Sequence, residues 1–287
     1  MIGAPNWFRE AVTAEAERGD VVVDGASIAW SAWGARSKPG LLLLIGNGAH
    51  SGWWRPLAPI LAHDYRVATF DWSGMGASDW RERYHVETFF AETLEVASAT
   101  GLFDDNRKPS LAAHSFGGFV GMQLMAAYGE RFAGGIIVDS RIRLKSTWGP
   151  QAVPGKPFRI HPTKEEAMSR FRLIPEQPIS NQYYFDFLAQ EAVAQEGKGW
   201  HFRQDPDFRR KTNVNRDIGS TIAQAKCPIA FIRGALSGSV DDEMWLEIQQ
   251  LAGPEIPFVE LAEAYHHVMI DQPLALVDSI RELLRSF

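Results

Sequence analysis

Ser115 is the residue whose surroundings most plainly suit chemistry. It stands in SLAAHSFGGFVGMQ, where a short β-prone run (residues 110–113) meets small residues and an apolar helical pattern begins, with Val120, Leu124 and Ala127 at helix spacing. A serine on such a strand–turn–helix tip projects its hydroxyl at a helix N-terminus, where free N–H groups and the helix dipole favour developing negative charge. The usual pattern is Gly-x-Ser-x-Gly. Here Ala113 takes the first glycine's place and is still small enough for a hard turn. A serine hydroxyl is a feeble nucleophile until a base takes its proton and a third group orients that base. The base belongs on a loop after the last strands, and His266 and His267 both lie there, in LAEAYHHVMIDQP.

Positioning such residues takes a regular scaffold, and the chain supplies its rhythm. Residues 6–17 read as an amphipathic lead-in helix. Runs 21–23 and 27–33 read as strands joined by a turn at Asp24-Gly25. Residues 41–45 are an unbroken apolar run ending in Gly46-Asn47-Gly48, as in a strand buried on both faces. A helix at 53–61, a strand at 66–70, a helix at 86–99, the Ser115 unit and a strand at 134–138 follow. The alternation predicts an α/β fold: a doubly wound, mostly parallel sheet of about eight strands. The rhythm breaks after residue 140 and resumes at 229–233 (strand), 241–251 (helix), 258–261 (strand) and 273–287 (helix). Residues 1–140 and 226–287 are therefore assigned to the core. Residues 141–225, rich in charge, aromatics and proline, are assigned to a mainly helical cap over the strands' C-terminal ends. Within the cap, Thr163 and Glu166 open a helix reaching residue 171, residues 181–194 form a second helix, and residues 198–203 form a short strand.

Composition narrows the function classes. The 287 residues are 45% hydrophobic, enough for a sizeable core. A formal net charge of -6 without a basic run argues against nucleic acid and anionic membrane as partners. The single cysteine, Cys227, rules out an intramolecular disulfide and fits a reducing compartment. With no apolar stretch of signal-peptide length at the N-terminus, a cytoplasmic protein is expected. No set of histidines and carboxylates shows metal spacing, and Gly46-Asn47-Gly48 is too short for a phosphate or dinucleotide loop, so no metal and no cofactor is expected. A small-molecule substrate is the expected partner; a homodimer is compatible with the sequence but not dictated by it.

The motifs GNGAHSGWW, FDWSGMGAS, AAHSFGG and HHVMIDQP, in this order over nearly the whole chain, resemble the α/β-hydrolase superfamily with a cap inserted after the sixth strand. The resemblance implies Ser115 as nucleophile and His266, six residues before Gln272-Pro273, as base. It implies the backbone N–H groups of Asn47 and Phe116 as oxyanion donors. Two departures stand out. Ile45 occupies the place of a histidine that usually precedes Gly46. The usual position of the acid falls on Gly238, which makes Asp139, at the end of the sixth strand, the expected acid, with Asp241, three residues on from Gly238 and well explained as a helix N-cap, as the alternative. Trp54, Trp148, Tyr184 and Phe187 are assigned to substrate binding, with Trp200 as a further candidate, and His114 is expected to point away from Ser115. A serine suits acyl transfer to water from a small, fairly apolar ester, thioester or lactone. A carbon–carbon bond hydrolase acting on a diketone would use the same residues. A non-catalytic small-ligand-binding member with a weakened triad is the reading from a different class.

Overall fold

The computed structural model describes residues 3–142, 157–213 and 218–287. Its centre is an eight-stranded sheet, here numbered β1 (Glu17–Val23), β2 (Ala26–Trp33), β3 (Gly40–Leu44), β4 (Arg66–Phe70), β5 (Ser110–His114), β6 (Gly134–Val138), β7 (Ile229–Gly234) and β8 (Phe258–Leu261). The spatial order is β1-β2-β4-β3-β5-β6-β7-β8. The β1–β2 and β2–β4 pairs are antiparallel, and every later pair is parallel. Every residue of β3 through β7 is buried. Helices cover such strands on both faces, which is why they read as continuous apolar runs rather than alternations.

The flanking helices are α1 (Asn6–Thr13), α2 (Val86–Ala99), α3 (Phe116–Tyr128), α4 (Lys164–Ser169), α5 (Gln182–Glu191), α6 (Asp242–Ala252) and α7 (Pro273–Leu284). The β1–β2 turn falls at Asp24 and Gly25, both at positive φ (44° and 79°), as a two-residue hairpin of this hand requires. Two local expectations give way. The lead-in helix stops at Thr13, because from Glu17 onward the chain pairs with β2 along seven residues. The helix expected at 53–61 is only a 3-10 turn, Ser51–Trp53, and a single α turn, Ala58–Leu61. Pro56 and Pro59 remove the N–H donors that a longer helix would need.

Between β6 and β7 the described chain holds α4, α5 and a β-hairpin, Val193–Glu196 against Gly199–Phe202. Thr163 caps α4 by accepting from Glu166 N–H at 3.1 Å. The expected second helix ends at Glu191 rather than 194, because the next residues belong to the hairpin. The strand expected at 198–203 is present as Gly199–Phe202, and its partner Val193–Glu196 takes Val193 and Ala194 out of the expected helix. The cross-strand partners run from Val193 with Phe202 to Glu196 with Gly199, so the pairing is nearly as local as a helix.

Candidate active site

β5 delivers Ser115 to a sharp turn. The serine sits at φ 53°, ψ -115°, a strained conformation for any residue other than glycine. Such strain costs of order 1–3 kcal/mol and persists only where the surroundings over-determine it. Here Ser115 N–H donates to Val138 O at 3.0 Å. Ser115 O in turn accepts from Gly118 N–H at 2.9 Å and from the Ser140 hydroxyl at 2.8 Å. The fit around the turn is tight: a Cβ on Gly118 would lie 1.9 Å from Ser140 Oγ. Ser140, directly after Asp139, is a positioning residue that the sequence reading passed over.

The loop between β8 and α7 brings His266 to the serine. His266 Nε2 lies 3.0 Å from Ser115 Oγ, and His266 Nδ1 lies 2.7 Å from Asp139 Oδ1. With Nδ1–H donating to the carboxylate, Nε2 is left as the acceptor for the serine hydroxyl. Asp139 is buried, itself at positive φ (43°), and its carboxylate is fully occupied. Ser237 Oγ–H donates to Oδ1 at 2.7 Å, and Gly234 N–H donates to Oδ2 at 2.8 Å. Asp241, the other acid candidate, is spent elsewhere: its side chain caps α6 by accepting from Met244 N–H at 2.9 Å. Ser237 had no motif to announce it. It stands next to Gly238, in the loop where the acid was first sought.

Three further histidines shape this region. His114 does not point away, as expected, but lies with its ring centroid 4.9 Å from that of His266. Its Nε2–H donates to His266 O at 2.9 Å, so it holds the backbone that carries the His266 ring. Burial, reinforced by the charge of His266, pushes the His114 imidazole down to about 3, so it is neutral at ordinary pH. His267 is held well below its usual range by burial and sits within reach of Pro175 O at 3.3 Å. His50, pushed down to about 4 by burial, bonds Leu188 O of α5 at 3.2 Å. Asp271 steadies the His266 loop, accepting from Tyr265 N–H at 2.8 Å and from Gln177 Nε2 at 2.9 Å.

The β3 exit is fixed by indoles. Trp54 Nε1–H donates to Leu44 O and Trp72 Nε1–H to Ile45 O, each at 3.0 Å. These bonds anchor the strand end where a histidine is usual and Ile45 stands instead. Asn47 follows, exposed, and lines a cleft together with Ser115, Phe116 and His266. Phe116 is the first residue of α3, so its N–H has no carbonyl one turn back to bond. The cleft measures about 1020 Å³. Trp53, Phe119, Phe171 and Phe208 form its apolar surface.

The structure corrects most of the substrate-binding assignments. Trp54 is fully buried and bonded to β3; its neighbour Trp53 lines the cleft. Tyr184 is buried too, its hydroxyl donating to Trp53 O at 2.8 Å. Tyr184 and Phe187 pack on Phe8 of α1, with ring centroids 5.1 and 5.7 Å away. Both belong to the packing that seats α5 on the β3 loop, as expected of aromatics at helical spacing. Trp200 lies in the hairpin under Lys164 and is not among the cleft residues. Trp148 lies outside the described residues. His114, His266 and His267 do bring ring nitrogens within 4.8 Å of one another. His114 and His267 each set Nε2 on a backbone carbonyl, His267 Nδ1 is buried without a partner among the described residues, and His266 uses both ring nitrogens on Ser115 and Asp139. Burial raises the Cys227 thiol to about 11, as suits a packing residue.

Residues 41–279 match the family model described as "Alpha/beta hydrolase family". Among curated proteins the chain is 33% identical over 88 residues to "Putative carbamate hydrolase RutD" of Stutzerimonas stutzeri, which covers 30% of this chain and 32% of that protein. It is 27% identical over 154 residues to the protein of the same name from Caulobacter vibrioides, covering 48% and 56%. The matched part thus spans about a third to somewhat over half of the length of these relatives. Among solved structures, the "Thioesterase Domain From Curacin Biosynthetic Pathway" superposes with a TM-score of 0.78 at 20% identity, over 93% of this chain and 100% of that one. E-2-(Acetamidomethylene)succinate hydrolase gives 0.76 at 15% identity, over 93% and 98%. At these identities the superpositions speak for the fold alone. No helix of the described residues is long and apolar enough to cross a membrane.

Proposed function

The chain belongs to the alpha/beta hydrolase family, and from that footing we propose that it is a serine hydrolase cleaving a carboxylic ester-type bond (ester, thioester or lactone) through an acyl-enzyme. The observation that carries this reading is the unbroken chain from Ser115 Oγ through His266 to Asp139, with spacings of 3.0 and 2.7 Å. In this reading Ser115 attacks the carbonyl carbon while His266 Nε2 takes its proton. Asp139 keeps the other nitrogen protonated and stabilises the imidazolium as it forms. The oxyanion is received by the N–H groups of Phe116 and Asn47, the first of them at the positive end of α3. His266 then protonates the leaving group, and water enters by the reverse route. Residues 141–225 serve as a cap over residues 1–140 and 226–287, and the reducing cytoplasm is the compartment that a lone, half-buried thiol suits.

The relatives carry the name carbamate hydrolase, and a carbamate carbonyl would be attacked by the same residues. It is the second reading, with nitrogen in place of carbon beside the reacting centre. A fluorophosphonate probe tests the common mechanism: wild type is labelled at Ser115, and Ser115→Ala is not. Absence of labelling in folded wild type would count decisively against a serine hydrolase. Comparing p-nitrophenyl butyrate with a p-nitrophenyl carbamate then separates the two readings, since the preferred carbonyl turns over fast and the other acylates without release.

A further inference from the structure

The cleft above Ser115 is at odds with the charge of the chain. Asp and Glu outnumber Lys and Arg by 35 to 29, yet the cleft lining includes Arg141, Arg159, Arg170, Arg172, Arg203 and Arg209 and not one carboxylate among the described residues. All of them come from the segment between β6 and β7. In sequence, residues 141–164 alone carry six Lys or Arg and no Asp or Glu.

Elsewhere the protein matches its less exposed arginines with acids. Arg66 pairs with Glu17, Arg81 with Glu92, and Arg233 with Asp242 and Glu260. In the cleft, Arg159, Arg170, Arg172, Arg203 and Arg209 form no ion pair with any described residue. Arg203 is the telling one. It is only half exposed, and among the described residues its side chain makes a single hydrogen bond, Nε–H to Val193 O at 3.2 Å, which leaves both terminal nitrogens of the guanidinium fork without a partner there. Its charge reaches neighbouring groups, opposing protonation of His50 and favouring the carboxylate of Asp71. A partly desolvated guanidinium with no carboxylate at ion-pair distance is costly, and a planar fork matches a carboxylate or phosphate in bidentate geometry.

We propose that the substrate of this site is an anion: an acyl compound whose hydrolysable carbonyl lies at Ser115 and whose carboxylate or phosphate is held by the arginines of the β6–β7 segment, Arg203 first. The apolar wall formed by Phe119, Phe171 and Phe208 takes the carbon chain between the two ends. The expected "fairly apolar" substrate becomes an amphiphilic one. This inference rests on the hydrolase reading and sharpens its substrate class.

The test uses a matched pair of esters differing only in charge: p-nitrophenyl hemiglutarate and its neutral methyl ester. The anionic ester should show kcat/KM higher by roughly ten- to a hundredfold, as charged hydrogen bonds of this type permit. The advantage should shrink as salt screens the partly exposed arginines. Arg203→Gln should collapse the ratio chiefly through KM, Arg203→Lys should restore part of it, and the exposed Arg209→Gln should lower it without risk to folding. Propyl phosphate and glutarate as competitive inhibitors distinguish a phosphate from a carboxylate preference. Equal kcat/KM for the two esters, with fluorophosphonate labelling intact, would overturn the inference and leave the hydrolase reading standing. If neither ester turns over, calorimetric titration of Ser115→Ala with monomethyl and dimethyl glutarate decides. Selective binding of the monoanion, lost in Arg203→Gln, supports the proposal; no binding of the monoanion overturns it.

Discussion

The ends of β6 and β7 lie side by side in the sheet, and they treat polar groups in opposite ways. The β6 end carries a buried carboxylate, Asp139, shared among a histidine, a serine hydroxyl and a backbone N–H. The β7 end carries no acid of its own. It offers Gly234 N–H and Ser237 Oγ–H as donors to its neighbour's carboxylate, while its own charge, Arg233, is neutralised at the surface by Asp242 and Glu260. Gly234 also lets the His266 loop pass close, since a Cβ there would lie 2.4 Å from Ala264 O and Tyr265 O. One strand end thus supplies a buried carboxylate and the other supplies the bed it lies in. Moving a carboxylate between adjacent strands changes the sequence motif but not the side of the histidine from which it is oriented.

The strongest way to break this comparison is Asp139→Asn. It leaves the shape intact but presents the wrong hydrogen-bonding pattern to His266 Nδ1, and kcat should fall by about 10⁴. Steady-state kinetics on folded variant would show it, and a fall of less than about tenfold would move the acid away from β6. Ser237→Ala probes the contribution of the β7 loop. Asp139 would keep His266 and Gly234 but lose a donor, so kcat should drop by roughly tenfold, with about 1 kcal/mol lost from stability in denaturant melts.

The pH dependence of stability separates the two ends by another route. Beside β6 lie buried histidines held neutral, His114 down to about 3 and, near the β3 loop, His50 down to about 4. The unfolded chain takes up protons near the ordinary histidine value of about 6.5, whereas these folded imidazoles refuse them. Stability is therefore fully present above about pH 6.5 and is lost as pH falls. Between about pH 7 and about pH 5.5 the loss is about 1 kcal/mol per histidine, or roughly 2–4 °C of Tm each. Asp71 and Glu92, raised by burial, act in the opposite sense. His50→Gln, whose amide can still donate to Leu188 O, should flatten the slope of Tm against pH. The smallest expected effect is Asp241→Ala: loss of the α6 cap costs about 1 kcal/mol in thermal or denaturant unfolding, with kcat unchanged.

The fold was legible because its signals are local. Apolar runs such as residues 41–45 and 134–138 declare strands buried on both faces, and the small residues around Ser115 declare a turn that only a close-packed strand and helix require. The same signals failed at helix ends, where one local preference overrode another: the chain after Thr13 turned to β1 because hairpin pairing with β2 was available, and Pro56 and Pro59 cut short the helix after β3. The aromatics misled for a related reason. Tyr184, Phe187 and Trp54 read alike as lining or as core, since an apolar side chain satisfies either environment. Only the placement of α1 and the indole bond to Leu44 assign them to packing.

By itself the sequence determined the alternation of strands and helices, the serine on its turn and the loop that holds the histidines. Those features are written in spacing and residue size, which short stretches of chain express alone. Tertiary structure decided what depends on residues far apart in the chain. Asp139 and not Asp241 meets His266 across 127 positions, and His114 turns toward the base loop rather than away from it. Arginines scattered from residue 141 to residue 209 converge on one cleft. Charge and hydrogen bonding act through space over a few ångströms, and only the folded chain fixes which groups come that close.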